Sequence, residues 1–168
     1  MNMIFNYPKT NKVTEVLSDL VKINNDRVIL YQKALEQSAN IDSYVQDVFA
    51  NIIADGINFR QQLAEKIKQF HGEVKNNATL FGKIYATWID LKVTFICHSQ
   101  KTMIASYLYN EEVTLQVYRA ALSMSTDMDN ELYQLIEKQK NELKENYTTV
   151  KNYRKACQSI DYSLLQFT

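Results

Sequence analysis

The sequence predicts an all-α protein: four long helices in two antiparallel hairpins, joined by a long crossover that holds a short fifth helix. Three observations lead there. The 168 residues include only 3 Gly and 1 Pro, too few for the turns and bulges of a β-rich fold. Apolar residues recur at steps of three and four along most of the chain. The links between the periodic stretches are short, then long, then short.

The first stretch, Asn11 to Ser38, carries a seam of Val13, Leu17, Leu20, Asn24, Arg27, Tyr31 and Ala34. It is apolar at its start and polar at its middle. The second, Asp42 to His71, lines up Val45, Phe49, Ile52, Gly56, Phe59, Leu63, Lys66 and Phe70, and Gly72 stands where a left-handed C-cap is expected. A shorter stripe follows, of Phe81, Ile84, Tyr85, Trp88, Leu91 and Phe95. Ser99 is placed to cap the helix Gln100 to Ser123, whose seam is Ile104, Leu108, Glu111, Leu115, Tyr118 and Leu122. Residues Ser123 to Asp127 break the period and offer new caps. The last stretch, Met128 to Gln158, carries Leu132, Ile136, Gln139, Leu143, Asn146, Val150, Tyr153 and Cys157.

The links around Ala39 to Ile41 and Ser125 to Asp127 are tight, so each closes an antiparallel hairpin. Roughly 27 residues separate the hairpins, enough to run the length of a bundle at about 1.5 Å per helical residue. Hairpin, crossover, hairpin is the connectivity of ferritin-like four-helix bundles. The expected bundle covers 11–158, with terminal tails at 1–10 and 159–168.

Charge excludes several function classes. Nineteen Lys+Arg balance 19 Asp+Glu, which argues against nucleic acid as a partner. No GxGxxG or GxxxxGK[ST] loop occurs. No basic segment followed by an apolar run opens the chain, and no stretch approaches the roughly 18 apolar residues of a membrane span. Cys97 and Cys157 lack zinc-site spacing, so a cytoplasmic protein with reduced thiols and no membrane insertion is expected.

The informative residues are the charged ones on the seams. Glu111 stands between Leu108 and Leu115, and a desolvated carboxylate needs a partner. Asn24, Arg27 and Tyr31 lie at the matching depth of the first helix, Gly56 leaves room on the second, and Asn146 faces them from the last. A carboxylate-bridged dimetal centre needs a Glu from each of two helices and a Glu-x-x-His from each of the other two. No Glu-x-x-His occurs, and the two histidines, His71 and His98, fall at helix ends. The residues fit a buried network better. Arg27 forks onto Glu111 while Asn24, Tyr31, Tyr118 and Asn146 satisfy the remaining donors and acceptors. A bound small ligand or a single metal ion at this layer is the alternative, and no cofactor is called for.

Three segments carry a family resemblance. LVKINNDRVILYQKALEQS (Leu20 to Ser38) resembles the opening helix of a bacterial ferritin-like family known only as a domain of unknown function. GKIYATWIDLK (Gly82 to Lys92) is similar to its crossover helix, and NEEVTLQVYRAAL (Asn110 to Leu122) to its third long helix. Asp26, Tyr31, Glu111 and Tyr118 match that pattern, whereas Asn110 stands where the family has Gly. The resemblance implies a ferritin-like bundle without an agreed activity, often treated as stress-associated, and it brings no catalytic residues.

Tyr31, Tyr107, Tyr118, Tyr147 and Tyr153 read as core filling, with hydroxyls at layer boundaries. The crossover helix has a second apolar face, Ile89, Val93 and Ile96, suited to a homodimer or a protein partner. The expected role is structural or binding and not enzymatic. Two alternatives stand beside it: a metal-dependent oxidase or iron-handling protein using Glu111 and Asp55, and an adaptor docking through the crossover face.

Overall fold

The computed structural model describes residues 7–37, 41–75 and 100–165. Four helices occupy them: α1 (Tyr7–Gln37), α2 (Ser43–Gln69), α3 (Gln100–Ser123) and α4 (Asn130–Leu165), with a 3-10 turn at Ser125–Asp127 before α4. No strand occurs among the described residues. The crossover stripe, with Ile89, Val93 and Ile96, lies outside them, as do Cys97, His98 and Ser99.

The helix ends follow local chemistry. α1 begins four residues earlier than the periodicity indicates, and Pro8 sits in its first turn, where a missing N–H leaves no bond unmade. Asp42 caps α2, its carboxylate accepting from Tyr44 N at 2.8 Å. α4 takes its cap from Asp129 and not from the Ser123–Asp127 run: Asp129 Oδ1 accepts from Leu132 N at 2.8 Å. No Gly or Pro follows, and the helix continues for 36 residues to Leu165, past the Gln158 end read from the apolar period.

The C-terminus of α2 corrects the sequence reading. His71, not Gly72, is left-handed, with φ 55°. His71 N donates to Lys68 O at 2.9 Å and Gly72 N to Ile67 O at 3.0 Å, the paired bonds of a Schellman motif with histidine at the glycine position. Gly72 is required for another reason. A Cβ there would stand 2.7 Å from Thr14 Cγ2 of α1.

Paired contacts fix the helix directions. Asn24 meets Tyr118 while Tyr31 meets Glu111, so α1 and α3 are antiparallel. Asp55 meets Asn146 and Lys66 meets Glu131, so α2 and α4 are antiparallel too. The hairpins α1–α2 and α3–α4 complete a four-helix ring whose neighbours all oppose. The end of α2 lies beside Thr14, whereas Gln100 at the start of α3 accepts from Asp42 N. These two points are at opposite ends of the bundle.

Burial is uneven. α2 buries a single stripe, Val45, Phe49, Ile52, Gly56, Phe59, Leu63 and Ile67, with Ile67 in the place expected of Lys66 and with Lys66 and Phe70 only partly buried. α1 and α3 are buried around most of their circumference: Val16, Ile23 and Leu30 form a second stripe on α1, and Met103, Asn110 and Val117 one on α3. Two apolar clusters result. One centres on Leu17, Leu20, Phe59, Leu63, Leu115, Ile136 and Leu143. The other centres on Tyr31, Phe49, Ile52, Ile104, Tyr107 and Val150. Among the described residues no helix is long and apolar enough to cross a membrane.

Candidate functional site

Between the two apolar clusters lies a polar layer, built mainly by α1 and α3. Asn24, Arg27 and Tyr31 share one face of α1 because their spacings are three and four residues. Tyr107, Glu111 and Tyr118 do the same on α3. Room for a guanidinium comes from α2, where Gly56 presents no side chain. A Cβ on Gly56 would come within 2.8 Å of Val28 Cγ2 and 4.0 Å of Arg27 Nη1.

Arg27 and Glu111 are both fully buried. The guanidinium grips the carboxylate with two parallel bonds, Nε to Oε1 at 2.9 Å and Nη2 to Oε2 at 2.7 Å. Its third arm, Nη1, donates to Asn24 Oδ1 at 3.0 Å. Tyr31 Oη donates to Glu111 Oε1 at 3.0 Å. This is the geometry that offsets desolvation of both ions, since short charge-assisted bonds replace the lost water.

The layer then extends across the bundle. Asn24 Nδ2 donates to Leu20 O and to Tyr118 Oη, each at 2.8 Å. Tyr118 Oη donates to Gln139 Oε1 at 2.9 Å, and Gln139 Nε2 donates to Gln62 Oε1 at 2.8 Å. One connected chain therefore runs from Tyr31 through Glu111, Arg27, Asn24, Tyr118 and Gln139 to Gln62, touching all four helices. Each link has one donor and one acceptor.

Five of the six residues singled out on the seams meet here: Asn24, Arg27, Tyr31, Glu111 and Tyr118. Asn146 does not. It is only partly buried and donates to Asp55 Oδ2 at 3.0 Å, at the α2–α4 edge. Gln139 takes the place expected of Asn146. Its signal was present, a polar residue between Ile136 and Leu143 on the α4 seam, but the sequence reading gave it no role.

Electrostatics follow from burial. Desolvation by itself would lower the affinity of Arg27 for its proton. The Glu111 charge and its hydrogen bonds outweigh that and hold the guanidinium firmly charged. Burial, reinforced by the Glu111 charge, raises the Tyr31 and Tyr107 hydroxyls well above the ordinary tyrosine value. Burial also raises Tyr118, against the pull of its bond from Asn24. All three stay protonated across the physiological range. Tyr31, Phe49 and Tyr107 close the layer on one side, with ring centroids 5.0 to 6.2 Å apart. Two buried atoms, Tyr107 Oη and Asn110 Nδ2, have no hydrogen-bond partner among the described residues.

The donor set does not suit a metal. Three hydrogen bonds already engage the Glu111 oxygens, a carboxylate offers about four acceptor positions in all, and a cation balances its charge. Asp55 is held by Asn146. Among the described residues no three His, Cys, Asp or Glu side chains converge. One directional hydrogen-bond network links all four helices.

No curated protein and no solved structure matches the chain. A family described as a domain of unknown function, DUF2383, matches residues 12–124, a span that holds both partners of the buried ion pair. That is more than half of the sequence, and the chain belongs to this family.

Proposed function

We propose that this protein is a ferritin-like bundle whose centre is closed by an arginine–carboxylate pair in place of metal, and that it serves as a non-catalytic structural or binding module. The observation that carries the reading is the two-pronged Arg27–Glu111 contact at full burial. A ferritin-like site directs its carboxylates at a metal, whereas here the guanidinium supplies the positive charge and Tyr31 and Asn24 complete its surroundings. The parallel course of α2 and α3 supports the ferritin-like connectivity, since only a long crossover joins their opposite ends. The absence of any Glu-x-x-His from the sequence supports the same conclusion.

Metal analysis of the full chain, purified without chelator and then dialysed against Fe²⁺, Mn²⁺ or Zn²⁺, tests the proposal. The expected content is far below one ion per chain and is the same in Glu111→Gln. Stoichiometric metal that disappears in Glu111→Gln would overturn the proposal and favour a metal-dependent oxidase.

A further inference from the structure

The groove between α3 and the C-terminal half of α4 has a charge pattern unlike that of the whole chain. It is an open groove of about 460 Å³ lined by Tyr109, Tyr147, Lys151, Arg154 and Lys155 among others. A second hollow of about 220 Å³ meets it at Arg154 and Gln158 and adds Lys101. Four cations therefore converge on one surface of a molecule whose formal net charge is zero. Among the described residues the only carboxylate lining either hollow, Glu112, is already paired with Arg119 at 3.0 Å. Lys101, Lys151, Arg154 and Lys155 have no acidic partner among the described residues. Like charges at spacings of three and four on one helix face repel one another weakly, and an anion seated among them offsets that repulsion.

A second observation is independent of charge counting. Arg154 Nε is buried and has no acceptor among the described residues. A buried N–H without a partner is uncommon in a native fold, and this one belongs to the residue that lines both hollows. Apolar surface is present as well. Tyr109 is 46% exposed at the groove wall, and the Tyr147 ring lies 5.4 Å from Lys151 Nζ, the arrangement of a cation over an aromatic face. A volume near 460 Å³ falls in the range of small-ligand sites, about 300–1,000 Å³.

We infer that this groove binds a small organic oxyanion, a phosphate or carboxylate carried on a planar apolar body. The anion accepts from Arg154 and the neighbouring lysines, and the body lies against Tyr109 and Tyr147. The site lies outside the buried polar layer, so it does not rest on the reading of the Arg27–Glu111 pair.

Titration of the ¹⁵N-labelled full chain with 1-naphthyl phosphate, 1-naphthoate, inorganic phosphate and uncharged 1-naphthol tests the inference. The two naphthyl anions are expected to saturate, shifting amides of residues 105–112 and 147–158. The tighter of the two identifies the oxyanion as phosphate or carboxylate. Inorganic phosphate is expected to bind about ten-fold more weakly than the better naphthyl anion, having no ring to stack. Arg154→Gln should weaken the naphthyl anions by about ten-fold or more, as loss of a charge-assisted bond does, with the midpoint of thermal unfolding unchanged. If Arg154→Gln does not fold, the surface variant Lys151→Gln/Lys155→Gln gives the same reading. Lys138→Gln, outside the groove, should bind as the parent does. The inference is overturned if no probe saturates at millimolar concentration, if 1-naphthol binds as tightly as the anions, or if the Arg154 and lysine variants bind like the parent.

Discussion

Replacing Glu111 by alanine removes both acceptors of Arg27 and leaves its guanidinium fully buried with only Asn24 as a partner. Breaking one side of a buried pair in this way costs about 3–5 kcal/mol. For a chain of this size about 1 kcal/mol corresponds to 2–4 °C, so the melting temperature should fall by roughly 6–20 °C. Arg27→Met strands the carboxylate instead and should cost a similar amount. Glu111→Gln keeps the volume and one acceptor, and its cost should be nearer 2 kcal/mol, roughly that of one charge-assisted bond. The double variant Arg27→Met/Glu111→Leu leaves no buried ion, and apolar replacement of such a pair is often neutral or stabilising by about 1–4 kcal/mol. Tyr31 loses one acceptor in that variant, which places the expected result between the parent and either single change. Urea and thermal unfolding of the four proteins measure the cycle. Strictly additive losses would refute the reasoning, because residues sharing one network must couple.

Other consequences follow from single atoms. Gly56→Ala gains up to about 1 kcal/mol of helix propensity, but its Cβ would meet Val28 Cγ2 at 2.8 Å. Valine is stiff at χ1, so overpacking of about 1–3 kcal/mol should win, and a raised melting temperature would contradict this. His71→Gly relieves a left-handed histidine and should stabilise by about 1 kcal/mol in the same unfolding assays, since glycine is neutral where a side chain costs about 1–2 kcal/mol. Unchanged or lower stability would count against the cap geometry. Tyr31, Tyr107 and Tyr118 hold their protons more tightly folded than unfolded, so their contribution is complete below about pH 10 and is lost as pH rises further. With three groups the decline should approach roughly 4 kcal/mol per pH unit. Tyrosinate absorbance at 295 nm from these three of the eleven tyrosines should appear only as the chain unfolds.

Much of the fold is legible in the sequence because period and link length are strong signals. The α2 seam read from residue spacing contains every residue that α2 buries apart from Ile67. Arg27 and Glu111 were visible as partners because each interrupts an apolar seam at a comparable depth, and a buried charge has few alternatives. Asn146 was misplaced for a geometric reason. Stepping in sevens from Leu132 drifts by about 20° per heptad on a straight helix, and two heptads turn residue 146 toward Asp55 at the bundle edge. The second buried stripe of α1, Val16, Ile23 and Leu30, was hidden because a single-seam reading assigns such residues to a solvent face. The left-handed His71 was hidden too. A glycine one residue later is the usual signal for that conformation, and here it answers to the close approach of Thr14.

The most direct test is the side-chain NMR signal of Arg27, assigned by its loss in Arg27→Met. A guanidinium clamped by a carboxylate should give an Nε–H resonance that exchanges with water orders of magnitude more slowly than that of the exposed Arg119, and that shifts in Glu111→Gln. An Arg27 Nε–H that exchanges as fast as that of Arg119, or that ignores residue 111, would contradict the ion-paired centre.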